Sequence, residues 1–218
     1  ILWSVRDTTL SNVKQMIPGY NHCLYVMGSG CLGPFSQWGT RLICYDSTGQ
    51  ETWRVPAING SASPNRTKLH LTQQNHLVYA VQYFNSPNPQ GFSTGAYDLN
   101  GNALWSEWFP VPGIHRLEDM TVDSSGNIYL TGTGNIQYEP NSNTIVEGGL
   151  LLAKYDPAGN LLWSNIGAGT PDTVLTGENV KVNAAGDVFV TSHYAWNGTL
   201  FGRVSRFDPQ SGALVWQY

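Results

Sequence analysis

The chain predicts an all-β fold, a β-propeller of four-stranded antiparallel blades, and three features of the sequence predict it. The phrase Tyr155-Asp156-Pro157-Ala158-Gly159-Asn160-Leu161-Leu162-Trp163 recurs as Tyr45, Asp46, Gly49, Trp53, as Tyr97, Asp98, Gly101, Trp105, and as Phe207, Asp208, Gly212, Trp216. Those tryptophans stand 52, 58 and 53 residues apart, a period that belongs to blades or solenoid turns. A second phrase falls between the copies: Val122-Asp123-Ser124-Ser125-Gly126-Asn127-Ile128-Tyr129-Leu130, then Val182-Asn183-Ala184-Ala185-Gly186-Asp187-Val188-Phe189-Val190. Each phrase is a hairpin, because an alternating apolar run closes on an Asp/Asn turn whose glycine can take positive φ and then reopens as a strand. Two hairpins per period make four strands.

The elements follow in order. Repeats cover approximately residues 4–54, 55–106, 107–164 and 165–218, within one partial propeller spanning 1–218. The opening Ile1-Leu2-Trp3-Ser4 matches Leu161-Leu162-Trp163-Ser164, so Trp3 belongs to a leading outermost strand. Five such strands against four sets of inner strands predict four blades plus one strand of a larger propeller. Turn length varies, with one extra residue before Gly212, whereas the step from glycine to tryptophan is constant, so tryptophan packing sets the register. A blade cannot bury both faces alone. One Trp per blade offers about 4–6 kcal/mol of area-derived burial as an upper bound, and Trp53, Trp105, Trp163 and Trp216 are read as the inter-blade packing. The preceding aspartates are read as turn carboxylates. No helical periodicity is present.

At this point a resemblance enters. The run Leu151 to Ser164, together with Val122 to Gly132, resembles the bacterial seven-bladed β-propeller repeat (SBBP) family; it is clear in the third and fourth repeats and weakest in the first, where Pro18 sits in the innermost strand. The Asp, Gly and Trp spacing is also similar to the tryptophan-docking motif of quinoprotein propellers. Both resemblances imply the same fold. The first implies an extracellular, unassigned role; the second would imply pyrroloquinoline quinone, calcium and usually adjacent cysteines, and this chain has no Cys-Cys pair. No cofactor and no metal is expected.

Composition narrows the partners. Only 12% of residues are charged, the net charge is −4, and no Lys/Arg run exists, so the footprint for a phosphate backbone is missing and nucleic acid is excluded as a partner. No apolar stretch is long enough for a transmembrane helix, so no membrane insertion is expected. A surface of Gly, Ser, Thr, Asn and Gln suits an extracellular or cell-surface protein, with the periplasm as the variant. Three cysteines fall in the first repeat; Cys23 and Cys44 are read either as a cross-strand disulfide or as two small buried side chains, and Cys31 is left over. The sequons at Asn59, Asn65 and Asn197 would be glycosylation sites in a eukaryotic host.

Three function classes are weighed. The first is a non-catalytic structural, adhesion or ligand-binding module, non-enzymatic, with protein, carbohydrate or further blades of the same polypeptide as partner. Its contact surface would be the aromatic-rich loops holding Phe35, Trp38, Phe84, Trp108, His115, Arg116, Tyr138, Tyr194 and Trp196. The alternatives are a quinoprotein-like oxidoreductase and a propeller glycosidase. The latter needs paired carboxylates or an arginine cluster at the axis. Innermost strands supply Lys68, His70, Glu118, Asp119, Glu178 and Lys181 without a recognised constellation, and no nucleophile elbow is visible. The non-catalytic module is the primary expectation.

Overall fold

The structure is a computed structural model that describes residues 4, 7, 9–20, 22–31, 38–56, 66–83, 91–108, 116–138, 145–167, 174–196 and 199–218. Within them it is β structure with tight turns, in four four-stranded antiparallel sheets. The first sheet is β1 (Asn12–Pro18), β2 (Leu24–Cys31), β3 (Trp38–Tyr45) and β4 (Glu51–Pro56). The second is β5 (Arg66–Leu71), β6 (His76–Tyr83), β7 (Gly91–Asp98) and β8 (Ala103–Trp108). The third is β9 (Arg116–Val122), β10 (Ile128–Tyr138), β11 (Ile145–Tyr155) and β12 (Leu161–Ile166). The fourth is β13 (Leu175–Val182), β14 (Val188–Trp196), β15 (Thr199–Phe207) and β16 (Leu214–Gln217). Every sheet runs in sequence order, as the repeat predicts. Pro18 ends β1, where its missing N–H costs least.

Two compact units divide the chain: Ile1–Asn88 with Ser93–Trp108, and Pro89–Phe92 with Phe109–Tyr218. In the first unit one face of the first sheet (Tyr25, Met27, Leu42, Cys44) interleaves with Leu69, Leu77, Tyr79, Val81 and Tyr97 of the second. The other face of the first sheet packs Val26, Ile43 and Tyr45 against Leu10 and Leu24. In the second unit Tyr129, Leu150 and Leu152 of the third sheet close on Val180, Val188, Val190 and Phe207 of the fourth. Alternation along each strand explains the arrangement, since residues of one parity all face one neighbour.

The turns behave as read. Asp46, Asp98 and Asp156 each take backbone N–H donors two and four residues ahead through Oδ1, at 2.8–3.0 Å. Asp208, whose turn is one residue longer, takes those of Gln210 and Ser211. Gly49, Gly101 and Gly159 hold φ near 84–89° and Gly212 holds 67°. The recurring aspartates are thus committed to turn geometry.

Each unit also holds a tryptophan dock. The Trp53 indole N–H donates to Leu99 O (2.9 Å), and Trp163 to Pro209 O (3.2 Å). In both cases the ring lies on the turn glycine of the following sheet: a Cβ built on Gly101 would come within 3.0 Å of Trp53, and one on Gly212 within 2.6 Å of Trp163. Lys154, facing Trp163 across β11 and β12, adds a bond from Nζ to the same Pro209 O at 2.9 Å and is itself buried. Trp105 is half-buried in β8.

Cys23 and Cys44 are free thiols, so the disulfide entertained from sequence is not formed. The register explains this: Tyr25, not Cys23, stands opposite Cys44. Trp3 and the leading strand around it, like Asn59, Asn65 and Asn197, lie outside the described residues.

Candidate functional site

The first strands of the third and fourth sheets, β9 and β13, pack together in the second unit and share an irregularity. Pairing with the second strand slips between Leu117 and Asp119 in β9 and between Gly177 and Asn179 in β13, leaving Glu118 and Glu178 as the extra residues of two β-bulges. A bulge twists the strand and re-aims its side chain, which is why bulges gather at functional rims. The same slip occurs at Lys14 in β1. These bulges put a glutamate at the extra position in the middle of each of two adjoining first strands.

Asp119, next after the bulge, reaches across to β13. Its Oδ2 accepts the backbone N–H of Val180 at 3.1 Å and lies 3.6 Å from Lys181 Nζ. The Asp119 side chain is 14% exposed and that of Lys181 72%, so the ammonium reaches the carboxylate from the solvent side. Glu178 Oε1 sits 2.9 Å from His193 Nδ1, with both groups partly open to solvent. Asn179 beside it donates to Thr191 Oγ1 at 3.1 Å. Three carboxylates, a lysine and a histidine therefore stand on or beside two adjoining strands, as a proton-transfer site requires.

The first unit carries the same clamp in neutral form. Gln15, at the register position of Asp119, donates from Nε2 to Leu69 O (2.8 Å) and accepts from Leu69 N through Oε1 (2.9 Å). There the position holds a strand and has no charge to offer a substrate.

Of the residues picked for a contact surface, Arg116 begins β9 and is half-buried, while Tyr194 lies near the end of β14, stacked on Phe201 at 5.2 Å and capped by the Arg203 guanidinium at 4.8 Å. The antiparallel register brings the start of β9 and β13 to the same end as the close of β10 and β14, where Tyr138 and Trp196 are the last strand residues. Trp108 ends β8 and is 46% exposed; Trp38 begins β3. Phe35, Phe84 and His115 lie outside the described residues. Lys68 and His70 stand on β5, in the other unit. Among the described residues no group of three His, Cys, Asp or Glu side chains could hold a metal ion. The two glutamates were visible in sequence, but the bulges that single them out were not.

With this geometry in hand, comparisons with known proteins can be placed. Residues 118–139 match the Beta-propeller repeat (SBBP) family. That segment runs from the bulged Glu118 through the second hairpin phrase and bears out the resemblance read from the sequence. No curated protein matches the chain. Among solved structures, the α-L-arabinofuranosidase Arb93A from Fusarium graminearum, in complex with an iminosugar inhibitor, superposes with a TM-score of 0.53 at 10% identity, over 97% of this chain and 71% of that one. The family GH93 α-L-arabinofuranosidase of Fusarium graminearum in complex with arabinobiose gives 0.51 at 11% identity, over 93% and 68%. At such identities the likeness is one of fold. It nevertheless corrects the primary expectation of a non-catalytic, non-enzymatic module: the similar folds belong to glycoside hydrolases, and the propeller glycosidase weighed as the alternative accounts for them better.

Proposed function

We propose that this chain is a β-propeller glycoside hydrolase domain, acting on a carbohydrate through carboxylates of its first strands. The observation that carries the reading is the placement of Glu118, Asp119 and Glu178 on two adjoining first strands, with Lys181 against Asp119 and His193 against Glu178. Glycoside hydrolysis needs one carboxylic acid to protonate the leaving oxygen and one carboxylate as base or nucleophile on the opposite side of the sugar. Asp119, which accepts the Val180 N–H and stands 3.6 Å from the Lys181 ammonium, is assigned the base or nucleophile role. Glu178, 2.9 Å from His193 Nδ1, is assigned the role of the second carboxyl group, with the imidazole as a partner for proton exchange. Arg116 and Tyr194, toward the same end, would line the approach of the sugar. An arabinose-containing substrate is the first to try, since the two similar folds are those of arabinofuranosidases.

The test is hydrolysis of a panel of aryl glycosides, with the arabinofuranoside first, by the purified chain and its Asp119→Asn and Glu178→Gln variants. The amide introduced by Asp119→Asn keeps an acceptor for the Val180 N–H, so the fold is retained while the charge is lost. The expected outcome is turnover that falls about 10²- to 10⁴-fold in each variant with little change in melting temperature. No turnover on any glycoside, or turnover indifferent to both substitutions, sinks the reading.

A further inference from the structure

Past Val188 and Val190 the contact between the third and fourth sheets opens into a cavity of about 390 Å³, a size that holds a small molecule. Comparison of the two units shows its origin. Tyr79 and Val190 stand at the same place in their sheets, as the pairings of Leu69 with Tyr79 and of Val180 with Val190 establish, and Val81 and Ser192 follow two residues on. In the first unit the Tyr79 ring fills the space: its hydroxyl donates to Ser106 Oγ at 3.3 Å and passes so near Gly95 that a Cβ there would meet it at 2.5 Å. In the second unit Val190 and Ser192 take the places of Tyr79 and Val81, while Ser205 and Gln217 stand where Gly95 and Ser106 do. The smaller side chains leave room, walled by Leu150 and Ile166 of the third sheet and by Phe207 and Leu214 of the fourth.

Two polar groups on the wall stand ready for a ligand. Ser192 is 1% exposed, and its Oγ meets no hydrogen-bond partner among the described residues. Alternation turns it into the cavity with Val188 and Val190, whereas His193 faces the other side of the sheet. A buried hydroxyl without a partner calls for an explanation. Arg203 is opposite Ser192 in the register and lines the same cavity; its guanidinium lies 4.8 Å over the Tyr194 ring and has no carboxylate partner among the described residues, unlike those of Arg54 and Arg206. No Asp or Glu among the described residues lines the cavity. We propose that it is a binding site for a small monocarboxylate with an apolar body, its carboxylate on Arg203 and Ser192 and its hydrocarbon part against Ile166, Phe207 and Leu214. A guanidinium fork matches a carboxylate, and the apolar walls keep water from competing for it. This second site is independent of the hydrolase reading, since neither Asp119 nor Glu178 lines it.

NMR titration of the 218-residue chain with 3-phenylpropionate and with its uncharged counterpart 3-phenylpropanamide tests this. The expected result is saturable shifts at the amides of Ser192, Arg203 and Leu214, with the carboxylate held at least about tenfold more tightly than the amide. Arg203→Gln should remove that preference. The double variant Val190→Tyr with Ser205→Gly installs the filling of the first unit, the glycine making way for the ring, and should abolish binding of both probes. The Arg203 comparison leaves the core untouched, so it decides the matter even where the repacked chain does not fold. No shifts up to about 10 mM probe, equal affinity for acid and amide in the parent, a preference that survives Arg203→Gln, or binding retained by the folded double variant would each overturn the proposal.

Discussion

Trp163 lies across Gly212 so closely that the glycine's missing Cβ is part of the contact: a methyl there would stand 2.6 Å from the indole and 2.7 Å from Asn165 Nδ2. The Asn165 amide then donates to Gly212 O at 2.5 Å, so both sides of this one residue are occupied. Gly212→Ala is therefore expected to lower stability by about 2–4 kcal/mol, from the left-handed φ and the overpacked ring together. Gly186→Ala is the control: it has φ of 88° but open space around it, and should cost only about 1–2 kcal/mol. Thermal or urea denaturation of the two variants checks the difference.

Gln15 should matter more than a strand-edge glutamine ordinarily does. Its amide satisfies both backbone groups of Leu69, which is almost fully buried. Gln15→Ala leaves an N–H and a C=O to find water and is expected to cost about 1–3 kcal/mol by urea denaturation. A loss within about 0.3 kcal/mol, on the order of experimental error, would place the clamp outside the folding energetics.

Acid should act through Asp7. Burial alone would raise its pKa, but the Thr9 hydroxyl and backbone N–H and the Arg54 guanidinium outweigh burial and hold it at about 2, below the ordinary 3.8. A carboxylate depressed on folding stabilises above its unfolded pKa and loses that contribution as pH falls through the folded one. Asp7→Asn should then be less stable than the parent by about 1–2 kcal/mol from neutrality down to about pH 4. The gap should close between about pH 4 and about pH 2. Urea midpoints of both proteins across that range provide the measurement.

The Cys44 thiol is pushed up to about 11, by burial first and by the neighbouring Cys23 thiol in addition, against a hydrogen bond from Thr52. Thiolate is the reactive form. A disulfide reagent at about pH 8 should accordingly label Cys23 ahead of Cys44, with Cys44 reacting only as the chain unfolds. Mass spectrometry of the digested protein after timed quenching reads the order.

Much of this fold was legible because the turn phrase carries its own mechanism. Asp98, Gly101 and Trp105 announce a carboxylate that caps, a backbone that needs positive φ and an indole that packs, and each of these is local. What the docks land on was not legible, since Leu99 and Pro209 accept the indoles through a backbone carbonyl, which any residue supplies. The candidate site was harder still. Glu118 and Glu178 look like ordinary strand carboxylates in sequence, and only the slipped pairing beside them sets them apart. The leaning toward a non-catalytic module came from the same blindness: one blade architecture serves hydrolases and scaffolds alike, and repeat spacing reports only the architecture.

The joint at Pro209 and Gly212 is read entirely through main-chain atoms, apart from the one hydrogen that glycine alone supplies. Its intervening residues differ in number and identity between the two docks, Leu99-Asn100 in one and Pro209-Gln210-Ser211 in the other. Such a connector is generic, a plug whose socket fits any neighbour of its kind, and gene duplication can lengthen or trim an array of these modules without redesigning a single seam.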